Sequence, residues 1–284
     1  GNETIKTPAE LDAVHKNDAG GIGLFRSEFL FLDRPSPPGE EEQFRAYREV
    51  LRGMADKPVI VRTLDIGADK QVDYFQLGRE DNPAMGYRGI RLCLRHPEIF
   101  RTQLRALFRA SVHGKLSVMF PMIASAWEVK EALSLCDSVR EELTGEGVPV
   151  SPEIGFGIMV ETPAAAMIAD RLAPLVDFFS VGTNDLTQYT LAVDRQNEAT
   201  AEFLDPHHEA VLRLIRHAAE GAHRYGKWIG ICGELAADTT LTGEFLSMGI
   251  DELSVSPPAV LPLRAKIRET DASSDPTGGI HELR

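Results

Sequence analysis

The sequence predicts one alternating α/β domain closed into a (β/α)8 TIM barrel, and three observations lead there. Short apolar runs rich in Val, Ile and Phe alternate with longer stretches of 3.6-residue periodicity, the pattern of βα units on a parallel sheet. The chain has 284 residues, within the span of a single barrel of this kind. Charged and reactive side chains follow directly on the ends of the apolar runs, where such barrels build their sites. An open doubly wound sheet is the alternative arrangement of the same units.

Seven runs read as buried strands, at 21–25, 59–61, 116–120, 154–160, 178–181, 228–231 and 252–255. Helical periodicity fills the intervals at 40–54, 97–112, 125–143, 163–172, 209–225, 239–248 and 258–269. A first helix-like segment at 8–16 has no such run before it, and the tail at 271–284 is too polar and too rich in turn residues to be a strand. A closed barrel needs eight strands, so the missing one is expected before Gly1. Residues 1–284 then form one domain, and the chain is a fragment.

Composition excludes several classes. Hydrophobic residues at 43% and charged residues at 26% are those of a folded globular protein. Thirty Lys and Arg against 43 Asp and Glu give a net charge of −13, which disfavours nucleic acid and anionic membrane as partners. No apolar run approaches the ~18 residues of a spanning helix. The three cysteines, Cys93, Cys136 and Cys232, are odd in number and lack Cys-x-x-Cys spacing, so neither a disulfide framework nor a zinc site is expected. A cytoplasmic, reduced protein follows.

The run ends are loaded: Arg26, Arg62, Glu161, the group Gly182-Thr183-Asn184-Asp185, and Cys232-Gly233-Glu234. Singly, each has an ordinary explanation. Asn184 or Asp185 suits the N-cap of a helix starting at Leu186, and Glu161-Thr162-Pro163 suits a helix start with Pro near the first turn. Cys232 suits a small buried hydrophobe, and the arginines suit solvated or paired surface positions. Together they change the balance, because unpaired charges aimed into one mouth are costly unless a ligand or metal neutralises them. Two carboxylates from separate strands suit Mg2+, which shares its oxygen ligands with a phosphate. Histidine and thiolate ligands are missing at these ends, which argues against zinc. Arginine forks beside such a metal suit a small phosphate or carboxylate substrate.

Six segments carry a family resemblance: GIGLFRSEFLFLDR from Gly21, VRTLDIGADK from Val61, NPAMGYRGIR from Asn82, MVETPAAA from Met159, GTNDLTQYTLAVDR from Gly182 and CGELA from Cys232. In this order they resemble the C-terminal, phosphoenolpyruvate-binding domain of Enzyme I, the phosphoenolpyruvate-protein phosphotransferase of the bacterial sugar phosphotransferase system. The resemblance implies Mg2+ held by Glu161 and Asp185, and phosphoryl oxygens held by Arg26, Arg62 and Arg195, with Lys70, Arg88 and Asn184 close by. It assigns protonation of the enolate to Cys232, and counts Arg62 and Arg195 with it as catalytic. It also implies a homodimer, and a phosphoacceptor histidine in a separate N-terminal domain that passes the group to HPr. That histidine's Thr-Ser-His type motif is missing here, and the eight histidines need no catalytic role. The long loops at 67–70 and 82–91 are expected to close over the ligand.

Two other readings remain open on the sequence. A metal-dependent pyruvate or oxaloacetate lyase would use the same carboxylates, although Lys70 and the arginines exceed its needs. A sensor module that binds phosphoenolpyruvate or pyruvate without turnover is the other.

Overall fold

The computed structural model describes residues 2–67, 69–70 and 72–273. Eight parallel strands close in sequence order into a barrel: β1 (Asn2–Ile5), β2 (Ile22–Arg26), β3 (Pro58–Arg62), β4 (Lys115–Phe120), β5 (Gly155–Val160), β6 (Phe178–Gly182), β7 (Trp228–Cys232) and β8 (Glu252–Val255). Among the described residues eleven α-helices, some of a single turn, surround it: α1 (Leu11–Lys16), α2 (Glu40–Met54), α3 (Ile90–Arg95), α4 (Pro97–Ala110), α5 (Ala126–Gly145), α6 (Pro163–Met167), α7 (Ala169–Leu172), α8 (Thr183–Leu191), α9 (Glu209–Arg224), α10 (Thr242–Ser247) and α11 (Val260–Ser273). No described helix is long and apolar enough to cross a membrane.

The barrel and seven of its strands match expectation, and the first strand corrects it. The strand expected before Gly1 is β1, inside the chain, pairing Thr4 with Leu24 on one side and closing the barrel against β8 on the other. It escapes an apolar-run criterion for a physical reason. β1 is four residues long, and its Thr4 hydroxyl meets the Ser254 hydroxyl at 3.2 Å where other strands bring apolar side chains. Ile5 joins the main core. The polar tail behaves in part as a helix, since α11 runs to Ser273; the rest of the 271–284 segment lies outside the described residues.

Period-two alternation fixes what faces where. Val59, Val61, Val118, Phe120, Ile158, Val160, Phe179 and Val181 point outward into one continuous core under the helices. Leu24, Ile60, Met119, Met159 and Phe178 belong to a second buried cluster inside the barrel, with Cys232. Its lower end is closed by Phe178, stacked on Trp228 with ring centroids 4.6 Å apart and planes 4° from parallel. Two residues beyond Leu24, Ile60 and Met159 on the same inward rows stand Arg26, Arg62 and Glu161. The alternation that fills the barrel thus delivers charge to its mouth.

On the outside, α2, α4 and α5 are laced together by ion pairs. Arg105 bridges Glu40, Glu142 (2.5 Å) and Glu146 (2.6 Å), while Arg109 pairs with Glu40 and Glu41, each at 2.8 Å. Arg109 also lies 4.2 Å over the Phe44 ring.

Candidate active site

Arg26 and Arg62 end adjacent strands and are direct partners in the β2–β3 register. Like charges opposite one another are unfavourable. Both side chains are withdrawn from water, and the Nε atom of each is buried without a hydrogen-bond partner. Burial, and then the nearness of Arg62, lowers the Arg26 pKa. Burial would lower Arg62 as well, but Glu28, Asp65 and Glu161 outweigh it and raise its pKa. Two buried donors with no acceptor make a site for an oxyanion.

Four buried carboxylates surround these arginines, and they divide into two kinds. Glu28 and Asp65 are committed to guanidinium groups: Glu28 to Arg62 at 2.9 Å, Asp65 to Arg88 at 2.9 Å and to Arg62 at 3.5 Å. Burial pushes Asp65 upward, and Arg62 and Arg88 more than reverse it, leaving its pKa below the ordinary value. Asp185 has looser contacts, 3.6 Å to Arg88, 3.5 Å to Arg195 and 3.2 Å to the amide of Gln188. Glu161 has no ion pair among the described residues and takes one hydrogen bond, from the Met122 backbone N–H at 2.7 Å. Met122 sits in the left-handed region at φ 60°, unusual for a side chain of its size, and offers its N–H from that strained position. Burial, and then the charges of Asp185 and Asp65, push the Glu161 carboxyl up to about 8.

That frustration suits the two carboxylates to a metal. A buried carboxylate repelled by its neighbours, beside another held only loosely, lacks a compact positive charge, and Mg2+ is one that oxygen ligands hold. Among the described residues no three His, Cys, Asp or Glu side chains cluster as a complete cage, so such an ion would draw further ligands from substrate and water. The Gly182 backbone lies close to Glu161: a Cβ there would stand 2.8 Å from its Oε1.

The remaining expected residues fall as follows. Asn184 and Asp185 are not caps, because α8 already begins at Thr183 with Gly182 as its N-cap, which puts both in the first turn. Asn184 Oδ1 accepts the Glu234 N–H at 3.3 Å, tying the ends of β6 and β7 together. Thr162 does cap α6, accepting the Ala165 N–H at 3.1 Å. Arg195 lines the mouth, half-exposed; Lys70 is exposed, and its charge helps hold Asp65 down. Ala68 in the 67–70 loop lies outside the described residues. In the second long loop, Tyr189 of α8 donates its hydroxyl to the Ala84 carbonyl, and Arg88 reaches that hydroxyl at 3.3 Å. The described histidines stand elsewhere, as with His207 on Asp238 and His223 on Asp251.

Cys232 is buried, its sulfur 3.4 Å from the Ser180 hydroxyl, which donates to it, and 3.5 Å from the Val181 carbonyl. Burial pushes the thiol up to about 11, so it holds its proton at neutral pH. All three cysteines are free and buried. Glu28, Asp65 and Tyr189 were not singled out from sequence, although acidic residues two and three places beyond Arg26 and Arg62 are a usable signal. A cleft of about 400 Å3 lined by Arg216, His223 and Met248 lies at the opposite end, where the chain leads into β7 and β8, and shares none of these groups.

The chain is 51% identical over 265 residues to phosphoenolpyruvate-protein phosphotransferases of Bacillus sp. (strain S) and Geobacillus stearothermophilus, covering 93% of this chain and 46% of each of those proteins. It therefore spans about half the length of the curated relatives it matches. Among solved structures, a citrate lyase from Burkholderia xenovorans LB400 has the same fold with a TM-score of 0.56, at 17% identity, covering 94% of this chain and 76% of that one. The family of PEP-utilising enzymes, through its PEP-binding domain, matches residues 3–272, and the chain belongs to that family.

Proposed function

We propose that this chain is the phosphoenolpyruvate-binding barrel of a multidomain phosphoenolpyruvate-protein phosphotransferase. It binds phosphoenolpyruvate with Mg2+ and gives up the phosphoryl group to a histidine of a separate N-terminal domain, which passes it to HPr, while the barrel releases pyruvate. The observation that carries this reading is the pairing of two guanidinium groups whose buried Nε atoms lack acceptors with two buried carboxylates, Glu161 without an ion pair among the described residues and Asp185 held by arginines only at 3.5 and 3.6 Å.

Phosphoryl transfer passes through a loose transition state whose charge sits on the equatorial oxygens, so positioned cations do most of the work. Arg26, Arg62 and Arg195 hold those oxygens, with Arg88 and Lys70 adding positive charge at the rim. Asn184 steadies the mouth between the ends of β6 and β7. Glu161 and Asp185 would hold Mg2+, which would supply positive charge against the charge developing on the substrate. Cys232 keeps its proton at neutral pH because its thiol is buried, and it is placed at the mouth side of the inner cluster to donate that proton to the methylene carbon of the enolate. The reading includes the homodimer of the family and a cytoplasmic setting, in keeping with three free thiols.

Calorimetric titration of the chain with phosphoenolpyruvate, with and without Mg2+, tests it beside Asp185→Ala and a thermal melt. Binding that needs both the metal and Asp185 is the expected result. A cooperatively melting chain that binds nothing would refute the site, and adding the histidine domain in trans tests the transfer itself.

A further inference from the structure

Arg62 leaves β3 into a segment with no strand neighbour for most of its backbone, yet several of its backbone polar groups are held. The Arg62 carbonyl accepts from the Ser27 hydroxyl at 2.8 Å, and the Thr63 N–H donates to the Met119 carbonyl at 3.0 Å. The Leu64 N–H donates to Gln103 Oε1 and the Asp65 N–H to Glu28 Oε1, both at 3.0 Å. Behind them, Gln103 donates to Ser27 at 2.9 Å and to Tyr47 at 3.2 Å, and Tyr47 donates to Gln43 at 2.9 Å. All of these side chains are buried.

Glu28 is the hinge of this bracket. Its Oε1 takes both the Asp65 N–H and Arg62 Nη2, the latter at 2.9 Å, so one oxygen fixes the backbone of the segment and the guanidinium it carries. Only that edge of the guanidinium is gripped closely: Nη1 lies 3.5 Å from Asp65 and 3.9 Å from the Met159 sulfur, and Nε is buried without a partner. Without Glu28, Arg62 would be pressed against Arg26 with no close counter-charge on its far side.

We infer that Glu28 is a positioning residue, which grips the back edge of Arg62 so that its free N–H donors meet the phosphoryl group of the substrate, with Ser27 and Gln103 fixing the backbone beneath. The inference rests on the proposed phosphoenolpyruvate site. Glu28 itself touches no substrate. Its effect should therefore be confined to the part of the ligand that Arg62 holds. A general loosening of the mouth would not be so selective.

Two ligands separate these cases: phosphoenolpyruvate, and oxalate, which carries enolate-like oxygens and no phosphoryl group. Each is titrated with Mg2+ into the unmutated chain, Glu28→Gln and Glu28→Asp, with melts run alongside. Expected are a weakening of phosphoenolpyruvate binding by about tenfold or more in Glu28→Gln, a change in oxalate binding within about twofold, and partial recovery in Glu28→Asp, since charge-assisted contacts are the strong ones. If Glu28→Gln does not melt cooperatively, Glu28→Asp is read by the same criterion. Equal losses for both ligands, or unchanged phosphoenolpyruvate affinity, overturn the inference. An unmutated chain that binds oxalate but not phosphoenolpyruvate refutes the phosphate cradle itself, and the inference with it.

Discussion

Two networks of Arg and carboxylate groups occupy this barrel, and their difference lies in water rather than in chemistry. At the mouth, Glu28, Arg62, Asp65 and Arg88 alternate with side-chain exposures of 8%, 10%, 4% and 14%. On the flank, Arg105 and Arg109 meet Glu41, Glu142 and Glu146, whose exposures are 54%, 41% and 49%. The flank contacts are as short as those at the mouth. Solvent screens them, so each is worth little, whereas removing one partner from a buried set leaves an uncompensated charge. Distance alone is therefore a poor guide to which network the molecule depends on.

Four experiments sharpen that contrast. Arg62→Met should have the largest effect, destabilising the chain by about 3–5 kcal/mol in urea unfolding because Glu28 loses its cation; a loss as small as a flank mutation would erase the distinction. Glu161→Gln comes next and acts through pH. Its folded pKa of about 8 exceeds the ordinary 4.5, so between those values the folded chain holds a proton that the unfolded chain has released. The stabilising contribution is full below about pH 4.5 and declines as pH rises towards 8, and the metal-free variant should melt with that decline removed. Gly182→Ala changes no charge, yet its Cβ would crowd Glu161 Oε1, and it should weaken Mg2+-dependent phosphoenolpyruvate binding about tenfold, or ~1.4 kcal/mol, by calorimetry. Arg105→Gln should cost less than about 1 kcal/mol at low salt and still less at high salt.

The buried strands were legible because an all-parallel sheet covered on both faces has near-continuous apolar runs. β1 was not, since Thr4 and Ser254 solve its inward packing with a hydrogen bond. α3 follows a loop with no apolar period to announce it, and α8 starts three residues before Leu186 because Gly182 turns directly from strand to helix. In the mouth, Arg26, Arg62, Glu161, Asp185 and Cys232 stood out by standing at run ends. Glu28 and Asp65 lie past those ends, in a short 3-10 turn and a strandless segment whose return towards the arginines depends on contacts from α2 and α4 that local spacing does not encode.

The stacked Phe178 and Trp228 rings make the barrel a vessel with a floor. Cys232 sits above that floor, in the inner cluster with Leu24, Ile60, Met119 and Met159. Under the proposed reaction, a proton surrendered by the thiol must then be replaced through the same opening by which pyruvate departs. Recharging the acid and emptying the site then share one doorway.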